Sequence, residues 1–220
     1  MSAYLARVSD SSAQRAKRPA DAARSERLRT VDVRVWSERR PTLPFAVLDV
    51  ETTGLSGARD RIIEIAVVRC DTTGAIVDEW ESLIDPGCDP GPTHIHGISA
   101  TDLDGAPTFA DIAPELVDLL DGHMICAHNL SFDASFLFHE FDRTAVAPPT
   151  GPALCTLELA RAVLGDSGQT TFSLAACAAA LGIPHPDAHR ALADTRVTAQ
   201  VLAAMLAIVH PDDPQGSLFD

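Results

Sequence analysis

The sequence predicts an α/β fold in which helices flank a mixed β-sheet. Three short apolar runs follow one another between residues 45 and 84, whereas the second half of the chain shows mainly helical spacing of apolar residues. One further apolar run, Met124–Ala127, lies between two predicted helices. Strands followed by helices, with one late strand among them, are typical of a layered α/β or α+β fold with a mixed sheet.

Buried apolar runs predict the strands, and a spacing of about 3.6 residues predicts the helices. The predicted strands are Phe45–Val50, Ile62–Arg69, Ile76–Ile84 and Met124–Ala127. The predicted helices are Phe109–Leu120 and, approximately, residues 131–141, 156–164, 173–181 and 190–208. Ser173 is expected to cap one helix, and Gly182 is expected to end it.

Charge divides the chain into unlike parts. Residues 1–40 carry ten Arg and Lys against five acidic residues, a balance of +5, while residues 41–220 have a balance of −19. We expect a basic, disordered extension over residues 1–43, either a phosphate-binding arm or a solvated tail. One domain is expected at residues 44–208, followed by a tail at 209–220. The acidic body would repel phosphates, so a polyanionic substrate requires bound cations.

Composition excludes several classes of protein. Hydrophobic residues make up 46% of the chain and charged residues 22%, as in globular proteins. No apolar run approaches the ~20 residues that span a bilayer, and the N-terminus lacks a signal-peptide core. We therefore expect a cytoplasmic protein without a membrane partner. The five cysteines form no CxxC pair, which indicates reduced core thiols.

Two carboxylates end the first predicted strand. Because side chains alternate along a strand, Asp49 and Glu51 lie on one face. Neighbouring carboxylates at the end of an apolar strand are costly unless a cation neutralises them. The pair therefore predicts either a metal site or the solvated end of an edge strand.

Two later segments place polar groups at strand and helix ends. Asp133 follows the strand Met124–Ala127 and opens a helix, at the end of the sheet where ligands gather. It could equally interact with the helix dipole alone. His189 precedes an Ala-rich helix that contains a lone acidic residue, Asp194. A histidine in such a place is usually a surface residue. A lone aspartate within an otherwise apolar helix is less easily explained by structure and indicates function.

Taken together, four carboxylates and one histidine converge on a single kind of chemistry. They are Asp49, Glu51, Asp133, Asp194 and His189. Hard oxygen ligands suit Mg²⁺ or Mn²⁺ rather than zinc. Two such ions about 3.5–4 Å apart are a known device for hydrolysing phosphodiesters. The sequence therefore predicts two divalent metal ions, which would also attract phosphates to an acidic body.

The motifs resemble those of the DEDDh family of 3′→5′ exonucleases, to which the proofreading epsilon subunit of bacterial DNA polymerase III belongs. DxE begins at Asp49, NxxFD ends at Asp133 and HxAxxD ends at Asp194. The segments His96–Ile98 and Pro107–Phe109 also look like this family. The resemblance covers residues 44–208 and implies a ribonuclease-H-like mixed sheet flanked by helices.

The resemblance also implies roles. Asp49 would bridge two metals, with Glu51 and Asp194 completing the site of the metal that activates water. Asp133 would support the second metal, and His189 would act as the general base. Further residues would contact the 3′-terminal nucleotide. They are Thr53, Gly54, Leu55, His96, Asn129 and Phe132.

Among these contacts, Leu55 would pack against the terminal base. For Phe132, a place in the apolar core is an equal alternative.

The chain ends in a polar tail with an exposed apolar pair, and this tail resembles the peptide with which bacterial replication and repair proteins dock into the sliding clamp. The residues concerned are Gln215, Ser217, Leu218 and Phe219. The apolar pair would anchor the tail in a pocket of the clamp.

Three functions agree with these features. The first is a DNA 3′→5′ exonuclease that releases nucleoside 5′-monophosphates in proofreading or repair. It would act on single-stranded or frayed 3′ ends, and DNA polymerase III is a candidate partner. The second is an RNA exonuclease of the same fold, which would gain nothing from a clamp. The third is a non-catalytic binding subunit, which the complete set of motif residues opposes.

Overall fold

A computed structural model describes residues 28–165, 168–186 and 190–211 of the chain. These residues form a six-stranded sheet in the order β1-β6-β5-β2-β3-β4. The strands are β1 Leu28–Thr30, β2 Phe45–Thr52, β3 Ile62–Cys70, β4 Ile76–Leu83, β5 Met124–Ala127 and β6 Gly151–Cys155. Strands β1, β6, β5 and β2 run parallel, whereas β3 is antiparallel to both β2 and β4. The predicted mixed sheet is confirmed.

Helices cover both faces of the sheet. They are α1 Val33–Trp36, α2 Thr93–His96, α3 Phe109–Leu120, α4 Leu130–Phe141, α5 Thr156–Leu164, α6 Leu174–Ala180 and α7 Ala191–Val209, with a 3-10 turn at Ala100–Leu103. On one face, α3 and α4 bury Leu116 and Phe136. On the other, α5, α6 and α7 bury Leu159, Cys177 and Met205. Full burial of one large apolar side chain contributes about 1.5–3 kcal/mol, so these two apolar layers hold the sheet between the helices.

The predicted elements agree with the observed ones to within two residues at each end. The predicted cap is also confirmed, because the Ser173 hydroxyl oxygen accepts a hydrogen bond from the Ala176 N–H at 3.3 Å. Gly182 follows the end of α6 with φ of +70°, a conformation that favours glycine. Local sequence signals therefore determine where this helix begins and ends.

Two strands have little sequence signal. Residues 28–36, expected to lie in a disordered extension, form β1 and α1, and Trp36 packs edge-on against Phe45 with ring centroids 6.2 Å apart. The expected disorder therefore does not extend to these residues, while residues 1–27 lie outside the described part. Strand β6 was not predicted either, because it is short and Pro152 lies near its start.

Helix α7 has the length and composition of a membrane span, with a mean hydropathy of 1.5 over its most apolar window. It packs instead against β2 and β3 of the sheet. Val201, Leu202 and Met205 on this helix are fully buried. Helix α7 is thus a core helix of the domain.

The topology brings the four motif carboxylates to the end of the sheet at which its parallel strands finish. Strands β2 and β5 are parallel neighbours, so their carboxyl ends lie side by side. Helix α4 starts three residues after β5, and the N-terminal end of α7 contacts β3 through Glu64. The end of β2 and the first turns of α4 and α7 therefore surround a common space.

Candidate active site and metal centre

Asp49 and Glu51 lie near the end of β2 and point to the same side, as predicted. Val50 between them is buried and points to the other face. Carboxylate oxygens of Asp49 and Glu51 and one oxygen of Asp194, in the first turn of α7, all lie within 4.8 Å of one another. Strand β2 is paired on both sides, by β3 and β5. The pair therefore does not lie at the solvated end of an edge strand, which was the alternative.

Asp133 lies in the first turn of α4 and is 2% exposed. Burial raises the pKa of this carboxyl group to about 8, against the opposing effect of backbone N–H groups of Asp133 and Val50. The charge of Asp133 also helps to raise the pKa of Asp49, after burial itself. Asp133 is therefore part of the same acidic cluster, on the side of β2 that faces α4.

The four carboxylates of this cluster repel one another. Burial, and then the charges of Asp133, Asp194 and Glu51, raise the pKa of Asp49 well above its ordinary value. Burial and the charge of Asp194 raise the pKa of Glu51 to about 7. Divalent cations would relieve this repulsion, and a donor set made only of carboxylate oxygens suits Mg²⁺ or Mn²⁺. The residues present thus fit the metals that the sequence predicts.

Asp194 also contacts a residue that the sequence did not reveal. The Nε2 atom of His185 lies 2.5 Å from Oδ1 of Asp194, and the two side chains are 12% and 14% exposed. His185 stands between Pro184 and Pro186, a context that indicates only a loop. No sequence pattern signals this contact. In the structure His185 contacts one of the predicted metal ligands.

The predicted nucleotide-binding loop leaves the end of β2. The Thr53 N–H donates to the carbonyl oxygen of Arg61 at 2.9 Å, which closes the loop at its base. A Cβ atom on Gly54 would lie 2.5 Å from the Asp60 carboxylate, so a side chain there would displace Asp60. Leu55 is 88% exposed, an unusual state for a large apolar side chain. The loop therefore presents Leu55 to the solvent beside the acidic cluster.

The other three predicted contacts lie at different depths. His96 is 2% exposed, and its Nδ1 accepts a hydrogen bond from the Ile98 N–H at 3.1 Å. Phe132 is half-buried with its ring 5.0 Å from that of Phe136, which agrees with the core alternative. Asn129 is exposed and has φ of +70° just before α4. Of these three residues, Asn129 is the best placed to reach a ligand directly.

Several predicted site residues lie outside the described part of the chain. His189, the predicted general base, is one of them, although Pro186 and Arg190 on either side of its segment are described. The predicted clamp-binding residues are also outside: Gln215, Ser217, Leu218 and Phe219. Their roles stay predictions.

An apolar groove of about 580 Å³ lies away from the carboxylates. Gly74 of the β3–β4 turn and Ala203 and His210 at the far end of α7 line it. It contains none of the acidic residues of the cluster. Size alone would favour this groove, but among residues 28–165, 168–186 and 190–211 the cluster is the group of side chains that could hold a metal ion.

A mixed sheet of this order, flanked by helices on both faces, is the ribonuclease-H-like architecture found in exonucleases. The chain belongs to the Exonuclease family, whose model matches residues 46–202. The family that the motifs predict is thereby confirmed.

Two relatives show how far this likeness extends. The DNA polymerase III PolC-type of Lacticaseibacillus paracasei is 32% identical over 163 residues, which are 73% of this chain and 11% of that protein. The DNA polymerase III PolC-type of Thermotoga petrophila is 37% identical over 159 residues, 71% of this chain and 11% of that protein. The chain thus spans about a tenth of the length of these relatives.

Solved structures confirm the fold. Exonuclease X in complex with 5′-overhanging duplex DNA is 27% identical, with a TM-score of 0.59, and the match covers 73% of this chain and 90% of that one. Exonuclease I of E. coli in complex with a dA16 oligonucleotide is 22% identical with a TM-score of 0.67, covering 80% and 42%. At that lower identity the likeness concerns the fold alone.

Proposed function

We propose that the protein is a metal-dependent 3′→5′ exonuclease that hydrolyses phosphodiester bonds at DNA 3′ ends and releases nucleoside 5′-monophosphates. The observation that carries this proposal is the convergence of Asp49, Glu51 and Asp194 within 4.8 Å, beside buried Asp133. In a member of the Exonuclease family, such a cluster is best explained as the site of hydrolysis.

Two divalent ions, Mg²⁺ or Mn²⁺, would be held by the carboxylates of the cluster. Asp49 would serve both ions, Glu51 and Asp194 the one beside the attacking water, and Asp133 the one beside the leaving group. Such ions supply positive charge to the scissile phosphate and lower the pKa of bound water. The high proton affinity of Asp49, Glu51 and Asp133 supports this assignment, since a cation replaces the proton that each group would otherwise retain.

The remaining residues would position the substrate and move a proton. His189 would accept the proton of the attacking water, a task that suits the ordinary pKa of histidine. Leu55, exposed on its loop, would pack against the terminal base, with Thr53 and Gly54 lining the same nucleotide. Asn129 would contact the strand from the start of α4. His96 and Phe132 would shape the pocket from beneath these residues.

DNA is the favoured substrate, in the form of single-stranded or frayed 3′ ends. The relatives named above are DNA polymerases, and the exonuclease X structure contains duplex DNA. We therefore propose a cytoplasmic role in proofreading beside DNA polymerase III or in repair. RNA hydrolysis by the same residues is the alternative that a direct assay must separate.

The C-terminal tail would dock into the sliding clamp. Leu218 and Phe219 would act as apolar anchors, with Gln215 and Ser217 making the polar contacts. Tethering would raise the local concentration of the nuclease at DNA ends. Unchanged affinity for the clamp after the tail is buried in a C-terminal fusion would contradict this part of the proposal.

A time course on single-stranded DNA labelled at either end tests the reaction. Mg²⁺, Mn²⁺ and EDTA are compared, with matched RNA and with the Asp49→Ala protein as controls. We expect stepwise shortening from the 3′ end that requires both the metal and Asp49. Faster hydrolysis of RNA would favour the RNA alternative. Intact DNA and RNA in both metals would leave a non-catalytic binding role.

A further inference from the structure

Glu64 is a buried carboxylate that neither the motifs nor the metal cluster accounts for. It lies on β3 in register with Glu51 of β2 and is 2% exposed. Side chains paired across antiparallel strands share a face, with Cβ atoms about 4.5–5.5 Å apart, and like charges in such pairs are destabilising. A charged Glu64 beside the cluster therefore requires compensation.

The compensation comes from the start of α7. Oε1 of Glu64 accepts hydrogen bonds from Nε and Nη2 of Arg190 at 3.3 and 3.0 Å. Oε2 accepts from the Ala191 N–H at 2.9 Å, one of the amides that the first turn of a helix leaves without a helical partner. Both oxygens of Glu64 thus engage protein donors, so this carboxylate acts on the helix and not as a ligand of the cluster.

This contact leads directly to the site. The Asp194 N–H donates to the carbonyl oxygen of Arg190 at 3.0 Å, so the residue that Glu64 holds also closes the helical turn that carries Asp194. Any displacement of Arg190 would therefore move Asp194 relative to the carboxylates of β2.

We propose that Glu64 and Arg190 form a positioning clamp that holds Asp194 against the β2 carboxylates, and that this clamp sets metal affinity and turnover. The inference rests on the proposed function and adds two positioning residues to it. Because Glu64 ties the start of α7 to β3, the strand beside β2, loss of the clamp would leave Asp194 free to shift relative to Asp49 and Glu51.

Two clamp variants and one matched control test the inference. Glu64→Gln and Arg190→Gln each break the ion pair, and Arg190→Gln alters a side chain that is 55% exposed, so it leaves the core unchanged. Glu79→Gln is the control, since the Arg196–Glu79 pair joins the sheet to the same helix away from the site. Mn²⁺ affinity is measured by calorimetry without substrate, and kcat and KM are measured on labelled single-stranded DNA at saturating Mn²⁺.

We expect both clamp variants to lose about 10- to 100-fold in Mn²⁺ affinity, in kcat, or in both, which is the usual effect of removing a residue that orients metal ligands. The KM for DNA should stay nearly unchanged. Arg190→Lys should recover part of the loss, and Glu79→Gln should match the wild type. Weaker Mn²⁺ binding in Glu64→Gln but tighter binding in Arg190→Gln would indicate charge alone and overturn the clamp. Wild-type behaviour of both variants would also overturn it. An inactive wild type would refute the proposed function, while Mn²⁺ affinity would still test the clamp.

Discussion

Replacing Asp133 by Asn should stabilise the metal-free protein. Burial raises the pKa of Asp133 from 3.8 to about 8, so the charged carboxylate is far less stable in the folded chain than in the unfolded one. At 1.36 kcal/mol for each pKa unit, the full difference is about 6 kcal/mol. Weaker backbone hydrogen bonds to the carboxamide would offset about 1 kcal/mol each. Since the relief is also shared among the other carboxylates, we expect a net gain of roughly 3 kcal/mol.

The gain should depend on pH in a defined direction. Between pH values of about 4 and 8 the unfolded Asp133 has lost its proton while the folded one retains it, so wild-type stability decreases as pH rises through this range. Urea unfolding in EDTA should therefore show the smallest advantage of Asp133→Asn near the lower limit and the largest at the upper limit. For a chain of this size, roughly 3 kcal/mol corresponds to an increase in Tm of about 6–12 °C.

A second aspartate at a helix start provides the control. The Asp111 carboxylate accepts hydrogen bonds from the Thr108 N–H at 2.9 Å and the Thr108 hydroxyl at 2.6 Å, and the hydroxyl bond above all lowers the pKa of Asp111. Asp111→Asn should therefore lose stability, in full above the pKa of the unfolded side chain and progressively less as the pH falls below it. If Asp133→Asn is no more stable than the wild type at the upper pH limit, or if its gain is the same at every pH, the reasoning from burial is wrong.

Three further variants test separate parts of the site. His189→Ala should lower kcat by about 10²–10⁴-fold, and an unchanged pH–rate profile would exclude His189 as the general base. His185→Ala, which removes the contact with Asp194, should raise the Mg²⁺ concentration for half-maximal activity about tenfold, and a wild-type titration would count against this orienting role. Leu55→Ala should leave Tm unchanged because Leu55 is 88% exposed, but should raise KM for single-stranded DNA about tenfold; an unaltered KM would show that Leu55 does not pack on the base.

The core of the site could be predicted because its residues conflict with their local surroundings. Asp49 and Glu51 interrupt an apolar strand, and Asp194 stands in an Ala-rich helix. Each would be destabilising without a partner, so each indicates function from the amino-acid sequence alone. The fold was predictable for a related reason, since short apolar runs and helix caps act over a few neighbouring residues.

The contacts that join distant segments could not be predicted in this way. Glu64 also interrupts an apolar strand, but its partner Arg190 lies 126 residues further along the chain. His185 has only prolines as neighbours, and its relation to Asp194 depends on how the loop before α7 turns back. Strand β6 forms because β5 and β1 offer hydrogen-bonding edges on either side, not because its own residues favour a strand.

The negative charge of the chain and the acidic cluster belong to one electrostatic problem. Residues 41–220 have a formal net charge of −19, which opposes the approach of any nucleic acid. Four of the carboxyl groups counted in it lie at the site of the proposed reaction. Divalent ions bound at the cluster relieve the repulsion among the carboxylates and also offer positive charge to a phosphate. By linkage, ions that bind the folded chain stabilise it against unfolding, and the same ions favour binding of the substrate. The stabilisation that added metal provides, metal affinity and affinity for a DNA end should therefore change together, and each should weaken when one carboxylate of the cluster is removed.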